Sequence, residues 1–141
     1  MSISLPQSAR DLIAAGALAH LVTLNRDGGP QVSGVWVKVD GDELVVATLR
    51  ETQKVKNLRR DPRLVISFET HQQNAMGLTE YLVIYGTATI EAGGAAEVLQ
   101  ELAHVYMGPD VKFPPTDNPP PGFLIRVRVE RLGGVGPWLT D

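Results

Sequence analysis

The chain has 141 residues, 43% of them hydrophobic, with 13 Lys and Arg against 16 Asp and Glu and no Cys. That size fits a single domain, 1–141, around one core, and the ordinary hydrophobic fraction argues against disorder. A net charge of −3 argues against a general nucleic-acid binder, and the lack of cysteine removes disulfides, thiolate nucleophiles and Cys-ligated metals. No apolar run approaches the ~20 residues of a membrane span, so no membrane partner is expected. Met1 to Pro6 lacks the pattern of a secretory signal. These absences point to the cytoplasm.

In chain order, Pro6 to Gly16 reads as a helix with Ala9, Leu12 and Ile13 on one side. Leu18 to Asn25 is strand-like, and Arg26-Asp27-Gly28-Gly29-Pro30 is a turn signal. Gln31 to Val39 alternates as one strand, with Val35, Val37 and Val39 opposite Trp36 and Lys38. Asp40-Gly41-Asp42 closes a hairpin into a strand over Glu43 to Thr48. A short helix follows, with Val55 and Leu58 inward, Glu51 or Thr52 as its cap and Asp61-Pro62 as its stop. Leu64 to Glu69 is a strand, His71 to Gly77 a polar loop, and Tyr81 to Glu91 a long strand with Gly86 as a candidate bulge. Gly93-Gly94 opens a helix whose stripe is Val98, Leu102 and Val105. Six of the ten prolines fall between Gly108 and Gly122, an extended loop. Phe123 to Leu132 is the last strand, with Ile125, Val127 and Val129 opposite Arg126, Arg128 and Glu130. Six strands joined mostly by tight turns, with few helices, predict a mostly β, α+β fold: an antiparallel closed or split barrel.

Thr48 to Arg63 reverses the chain's charge. It holds Arg50, Lys54, Lys56, Arg59, Arg60 and Arg63 against Glu51 and Asp61, a net +4 that leaves −7 for the remainder. A strand feeding a helix N-terminus inside such a cluster suits an anion, above all a phosphate. The same charges also suit the solvated face of an amphipathic helix. His20, His71 and His104 have no metal-like spacing, so no metal is expected. His20 and His104 read as structural. No hydrolase or Rossmann motif is present, and no catalytic side chain stands out. Redox chemistry remains open, because a cofactor can carry it.

The motifs N-R-D-G-G-P-Q-V-S-G-V-W-V and K-V-K-N-L-R-R-D-P-R resemble the pyridoxamine-phosphate-oxidase-like flavoprotein family. They look most like its actinobacterial branch, which uses the deazaflavin coenzyme F420. The resemblance runs from about Leu5 to Leu132. It implies a split β-barrel homodimer with the cofactor at the subunit boundary. It also implies that Gln31, Ser33 and Val35 line the ring, and that Thr48 and Lys54 hold the phosphate with support from Lys56 and Asn57. The family often has arginine where this chain has Thr52; Arg50 is the candidate substitute. Tyr81 and Trp138 are candidate pocket walls beside Trp36. The expected activity is hydride transfer from reduced F420 to a small conjugated acceptor. FMN in place of F420, and a carrier without turnover, stay open as alternatives.

Overall fold

The computed structural model describes residues 2–140. Its elements are α1 (Gln7–Ala14), β1 (Ala19–Leu24), β2 (Pro30–Val35), β3 (Lys38–Asp40), β4 (Glu43–Thr48), α2 (Gln53–Arg60), β5 (Arg63–Gln73), β6 (Thr79–Ala92), α3 (Ala95–Tyr106) and β7 (Phe123–Val135), closed by a 3-10 turn, Pro137–Leu139. All strand pairs are antiparallel, in the order β2-β1-β5-β6-β7-β4-β3. The two edge strands, β2 and β3, are consecutive in the chain and separated by Trp36 and Val37 alone. So short a link forces the sheet to curl until its edges approach, while no ladder joins them. The result is a barrel split along β2.

Alternation places one set of side chains inside: Leu21, Leu44, Ile66, Phe68, Leu82, Ile84, Ile125 and Val127 are fully buried. Helices α1 and α2 complete that core. Ala9 and Ile13 of α1 join the cluster, as do Val55 and Leu58 of α2.

Seven strands form where six are expected, because Gln31 to Val39 is not continuous. The Val37 amide donates to the Tyr106 hydroxyl at 3.2 Å instead of to a neighbouring strand. Trp36 turns out to stack on Tyr106, with ring centroids 5.2 Å apart. The strand therefore breaks at two residues recruited by α3. Two further expectations shift. β5 continues through His71 to Gln73 and the turn comes later, at Asn74, whose side chain accepts from the amides of Met76 (2.9 Å) and Leu78 (3.0 Å). On α3 the buried face is Ala95, Leu99, Leu102 and Ala103, with Val105 51% exposed. Small Ala95 and Ala103 let the helix lie close to the sheet, which rotates the expected stripe. Gly86 does mark a bulge: Tyr85 faces Arg131 while Gly86 faces Val129. A Cβ at Gly86 would collide with the Arg128 carbonyl oxygen, so glycine is required there. Among the described residues no helix is long and apolar enough to cross a membrane.

Candidate functional site

The site is built where β4 hands over to α2. Thr48, buried at the end of β4, donates its hydroxyl to the Arg50 carbonyl at 3.0 Å, and the Thr52 amide donates to the same carbonyl at 2.9 Å. This turn brings the chain into α2 with Thr52 as N-cap in extended conformation. The first helical bonds run from the amides of Val55 (3.1 Å) and Lys56 (3.2 Å) to the Thr52 carbonyl. The amides of Gln53 and Lys54 precede them, so the helix presents donors and the positive end of its dipole. The Thr52 hydroxyl makes no capping bond. Its oxygen is buried without a hydrogen-bond partner.

Lys54 is half-buried, has no ion-pair partner among the described residues, and burial pushes its pKa down. It borders a cavity of about 190 Å³ together with Gly34, Val35, Trp36, Ala47, Leu99 and Phe113. A partly desolvated cation without a counterion is costly in the empty protein, and an anion offsets that cost. Arg50 and Lys56 are exposed nearby in the chain and likewise form no ion pair among the described residues.

The other arginines of the basic stretch are engaged. Arg60 donates to the Leu24 carbonyl, Arg63 pairs with Asp61 at 2.8 Å, and Arg59 sits 5.3 Å over the Phe123 ring and 3.5 Å from Glu51. The Arg63 guanidinium holds Asp61 down at about 2. The basic cluster thus divides into a structural half and an available half.

Along the split, Gln31, Ser33 and Val35 share the barrel-facing side of β2, in register with Thr23, Leu21 and Ala19 of β1. Val35 is buried, and the Ser33 hydroxyl is a second buried oxygen without a partner. Gln31 is tied to α2 through a chain of side chains. Asn57, fully buried, accepts from Gln53 at 2.8 Å and donates to Thr23 and to Asn25, both at 3.0 Å. Thr23 in turn donates to Gln31 Oε1 at 3.0 Å.

Nine of the expected site residues therefore lie along β2 and the β4–α2 junction; Tyr81 and Trp138 do not. Trp138 is buried in the core and donates its indole N–H to the Gly133 carbonyl at 3.1 Å. It borders a different, larger cavity of about 750 Å³, with Ser8, His20, Glu69, His71 and Glu80 among the other walls. Tyr81 is 42% exposed on β6, beside Glu80. The two cavities share no residue. His20, expected to be packed, faces outward and is exposed, since Ala19 and Leu21 take the inner side. His104 is exposed near the end of α3, 3.0 Å from Gln100 Nε2.

Sequence reasoning missed Thr23, Gln53, Phe113 and Tyr106. Thr23 carried a readable signal, a hydroxyl at an inward position of an alternating Ala19-Leu21-Thr23 strand. The others carry none, because their roles depend on distant partners.

The family model for pyridoxamine 5′-phosphate oxidase matches residues 5–136. No curated protein matches the sequence. Among solved structures, an F420 reductase is 24% identical with a TM-score of 0.73, covering 92% of this chain and 98% of its own. HupZ of Group A Streptococcus is 21% identical, TM-score 0.67, covering 93% and 94%. An FMN-binding protein from Syntrophomonas wolfei subsp. wolfei is 14% identical, TM-score 0.67, covering 92% and 85%. At these identities the likeness is one of fold.

Proposed function

The chain belongs to the pyridoxamine 5′-phosphate oxidase family, and on that premise we propose that it is an oxidoreductase that binds the deazaflavin coenzyme F420. One observation carries the reading: a half-buried Lys54 without a counterion stands beside a helix N-terminus whose Thr52 oxygen is buried and unpartnered. A second unpartnered oxygen, Ser33 Oγ, lies on the split edge. These groups lack what a phosphate and a polar ring edge provide, so the residues present fit a flavin-class cofactor. Lys54, Thr52 and the amides of Gln53 and Lys54 would hold the phosphate, with Arg50, Lys56 and the Thr48 turn around it. Gln31, Ser33 and Val35 would line the ring. Bound there, the cofactor supplies a hydride to a small conjugated organic acceptor. The chain's own contribution is to bind, orient and exclude water. It needs no protein nucleophile.

A ring of this kind needs cover on both faces, and one chain offers one wall. The proposed assembly is a homodimer with the cofactor at the subunit boundary.

FMN is the second reading, and one observation favours it. Arg59, Arg60 and Arg63 are engaged within the chain, which leaves Arg50, Lys54 and Lys56 for an anion. Three cations suit a compact phosphate at least as well as a long polyanionic tail. The fold likeness to an F420 reductase supports F420.

Fluorescence titration of the purified protein with F420 and with FMN decides between them. The expected result is saturable binding of F420, weakened by added salt. Tighter binding of FMN would transfer the proposal to that cofactor, and binding of neither would end it. Binding without turnover of quinones, nitro compounds or enones would leave a carrier.

A further inference from the structure

We propose that Thr23 is a positioning residue: held between Asn57 and Gln31, its hydroxyl fixes the Gln31 carboxamide so that β2 offers an N–H donor to the cofactor ring. The inference deepens the proposed function and rests on that reading.

A glutamine on an edge strand can present either its oxygen or its NH2 group, and the two are opposite in what they recognise. Here the choice is made by a chain of donors. Asn57 Nδ2 has two protons and donates both, to Thr23 Oγ1 and Asn25 Oδ1, each at 3.0 Å. Its Oδ1 accepts from Gln53 Nε2 at 2.8 Å, so this buried amide is satisfied and held from three sides. Thr23 Oγ1 accepts from Asn57 and donates its single proton to Gln31 Oε1 at 3.0 Å. Gln31 Nε2 is thereby turned away from Thr23. The Val32 carbonyl, which can accept and never donate, lies 3.4 Å from that nitrogen and sets the same polarity.

Thr23 is 1% exposed and Asn57 is fully buried, so the bond between them is shielded from water, and the bond from Thr23 to Gln31 is partly shielded. The relay starts on α2, one residue from Lys54, and ends on the strand that carries Ser33 and Val35. It therefore couples the anion end of the site to the ring end. The ligand edge it selects is rich in acceptors, such as a ring carbonyl or an imine nitrogen. A donor aimed there also stabilises negative charge that builds on the ring when it is reduced.

The test compares Thr23→Val, which keeps the shape and removes the hydroxyl, with Thr23→Ser, which keeps the hydroxyl. In the protein without cofactor, the side-chain amide resonances of Gln31 should move and broaden in Thr23→Val and stay in place in Thr23→Ser. With whichever of F420 or FMN binds, Thr23→Val should weaken affinity about 10-fold, as for one lost hydrogen bond. It should also shift the absorption band of the bound cofactor. Thr23→Ser should restore both. In a Gln31→Ala background, Thr23→Val should have almost no further effect. Unmoved Gln31 resonances, failure of serine to restore, or additive effects would each overturn the proposal. Binding of neither cofactor would refute the parent reading instead, and the resonances would still decide the orientation of Gln31.

Discussion

Trp36 lies against Tyr106 with ring centroids 5.2 Å apart and planes 16° from parallel, and this pair converts a strand into a junction. The Tyr106 hydroxyl accepts from the Val37 amide at 3.2 Å and donates to the Ala17 carbonyl at 3.3 Å. One side chain of α3 thus satisfies backbone groups on two separate links of the barrel. Burial raises the Tyr106 pKa, which keeps the phenol protonated and able to donate. Tyr106→Phe keeps the stack and removes both bonds. It should cost ~1–3 kcal/mol, the penalty for stranding a partly buried amide. Urea unfolding should show a lower midpoint at unchanged slope.

Of the three buried hydroxyls without a partner among the described residues, Ser8 Oγ borders the larger cavity and the other two lie at the proposed site, where they separate function from folding. Thr52 Oγ1 and Ser33 Oγ are buried without hydrogen bonds, so in the empty protein they contribute nothing favourable. Thr52→Val and Ser33→Ala should leave the unfolding midpoint unchanged or raise it. Both should weaken cofactor binding, Thr52→Val by ~1–2 kcal/mol for one phosphate hydrogen bond. Loss of stability without loss of affinity would assign the two oxygens to the fold.

Lys54 extends the same logic to charge. Burial lowers its pKa below the unfolded value, so between the two values the unfolded chain binds more protons. Stability then rises with pH through that alkaline window, the reverse of a lysine that gains a partner. Lys54→Met removes the desolvated charge and should abolish this rise without destabilising the protein at neutral pH. The same change should weaken anion binding by ~1.5–3 kcal/mol, as for a charge-assisted hydrogen bond. Titration with cofactor, together with thermal unfolding as a function of pH, reads both effects. Unchanged affinity would place the anion elsewhere.

How far the sequence carried these conclusions depends on the range of the forces involved. The strand Glu43–Thr48 and the helix after it were legible because local signals agree there: a short apolar run, Thr52 at the N-cap position, inward Val55 and Leu58, and Asp61-Pro62 as a stop. The break at Trp36 and Val37 was not, because its cause is a hydroxyl 69 residues beyond Val37. Charge counting pointed to the β4–α2 junction but counted cations engaged elsewhere, since Arg60 and Arg63 turn to a carbonyl and a neighbouring carboxylate that composition does not reveal. The resemblance implies Asn57 as a support for Lys54, and the structure holds its side chain among Gln53, Thr23 and Asn25. Its route to Gln31 through Thr23 needs the register of β1 against β2, which no local pattern specifies.

Assembly gives the last prediction. The inner face of the sheet is filled by the core, yet its outer face also carries an apolar row. Val32, Val22, Val65 and Tyr85 lie in register across β2, β1, β5 and β6, each on the side away from the core. Arg131 continues the row on β7, its guanidinium 3.8 Å over the Tyr85 ring. Val32 is 57% exposed, and a row of this kind in water favours covering by another surface. A second copy brings an identical apolar row under a two-fold axis, so the face is self-complementary. Its position beside the split edge also suits a shared cofactor, because β2 contributes Val32 to the row and Gln31, Ser33 and Val35 to the ring side. The dimer should therefore form without cofactor, and sedimentation of the empty protein at micromolar concentration should give twice the chain mass. Val65→Glu, at the centre of the row, should yield a monomer and weaken cofactor binding with it. A monomeric wild-type protein would refute the dimer. A Val65→Glu variant that stays dimeric would move the interface off this face, and a monomeric variant that binds as tightly as wild type would show that one chain suffices for the site.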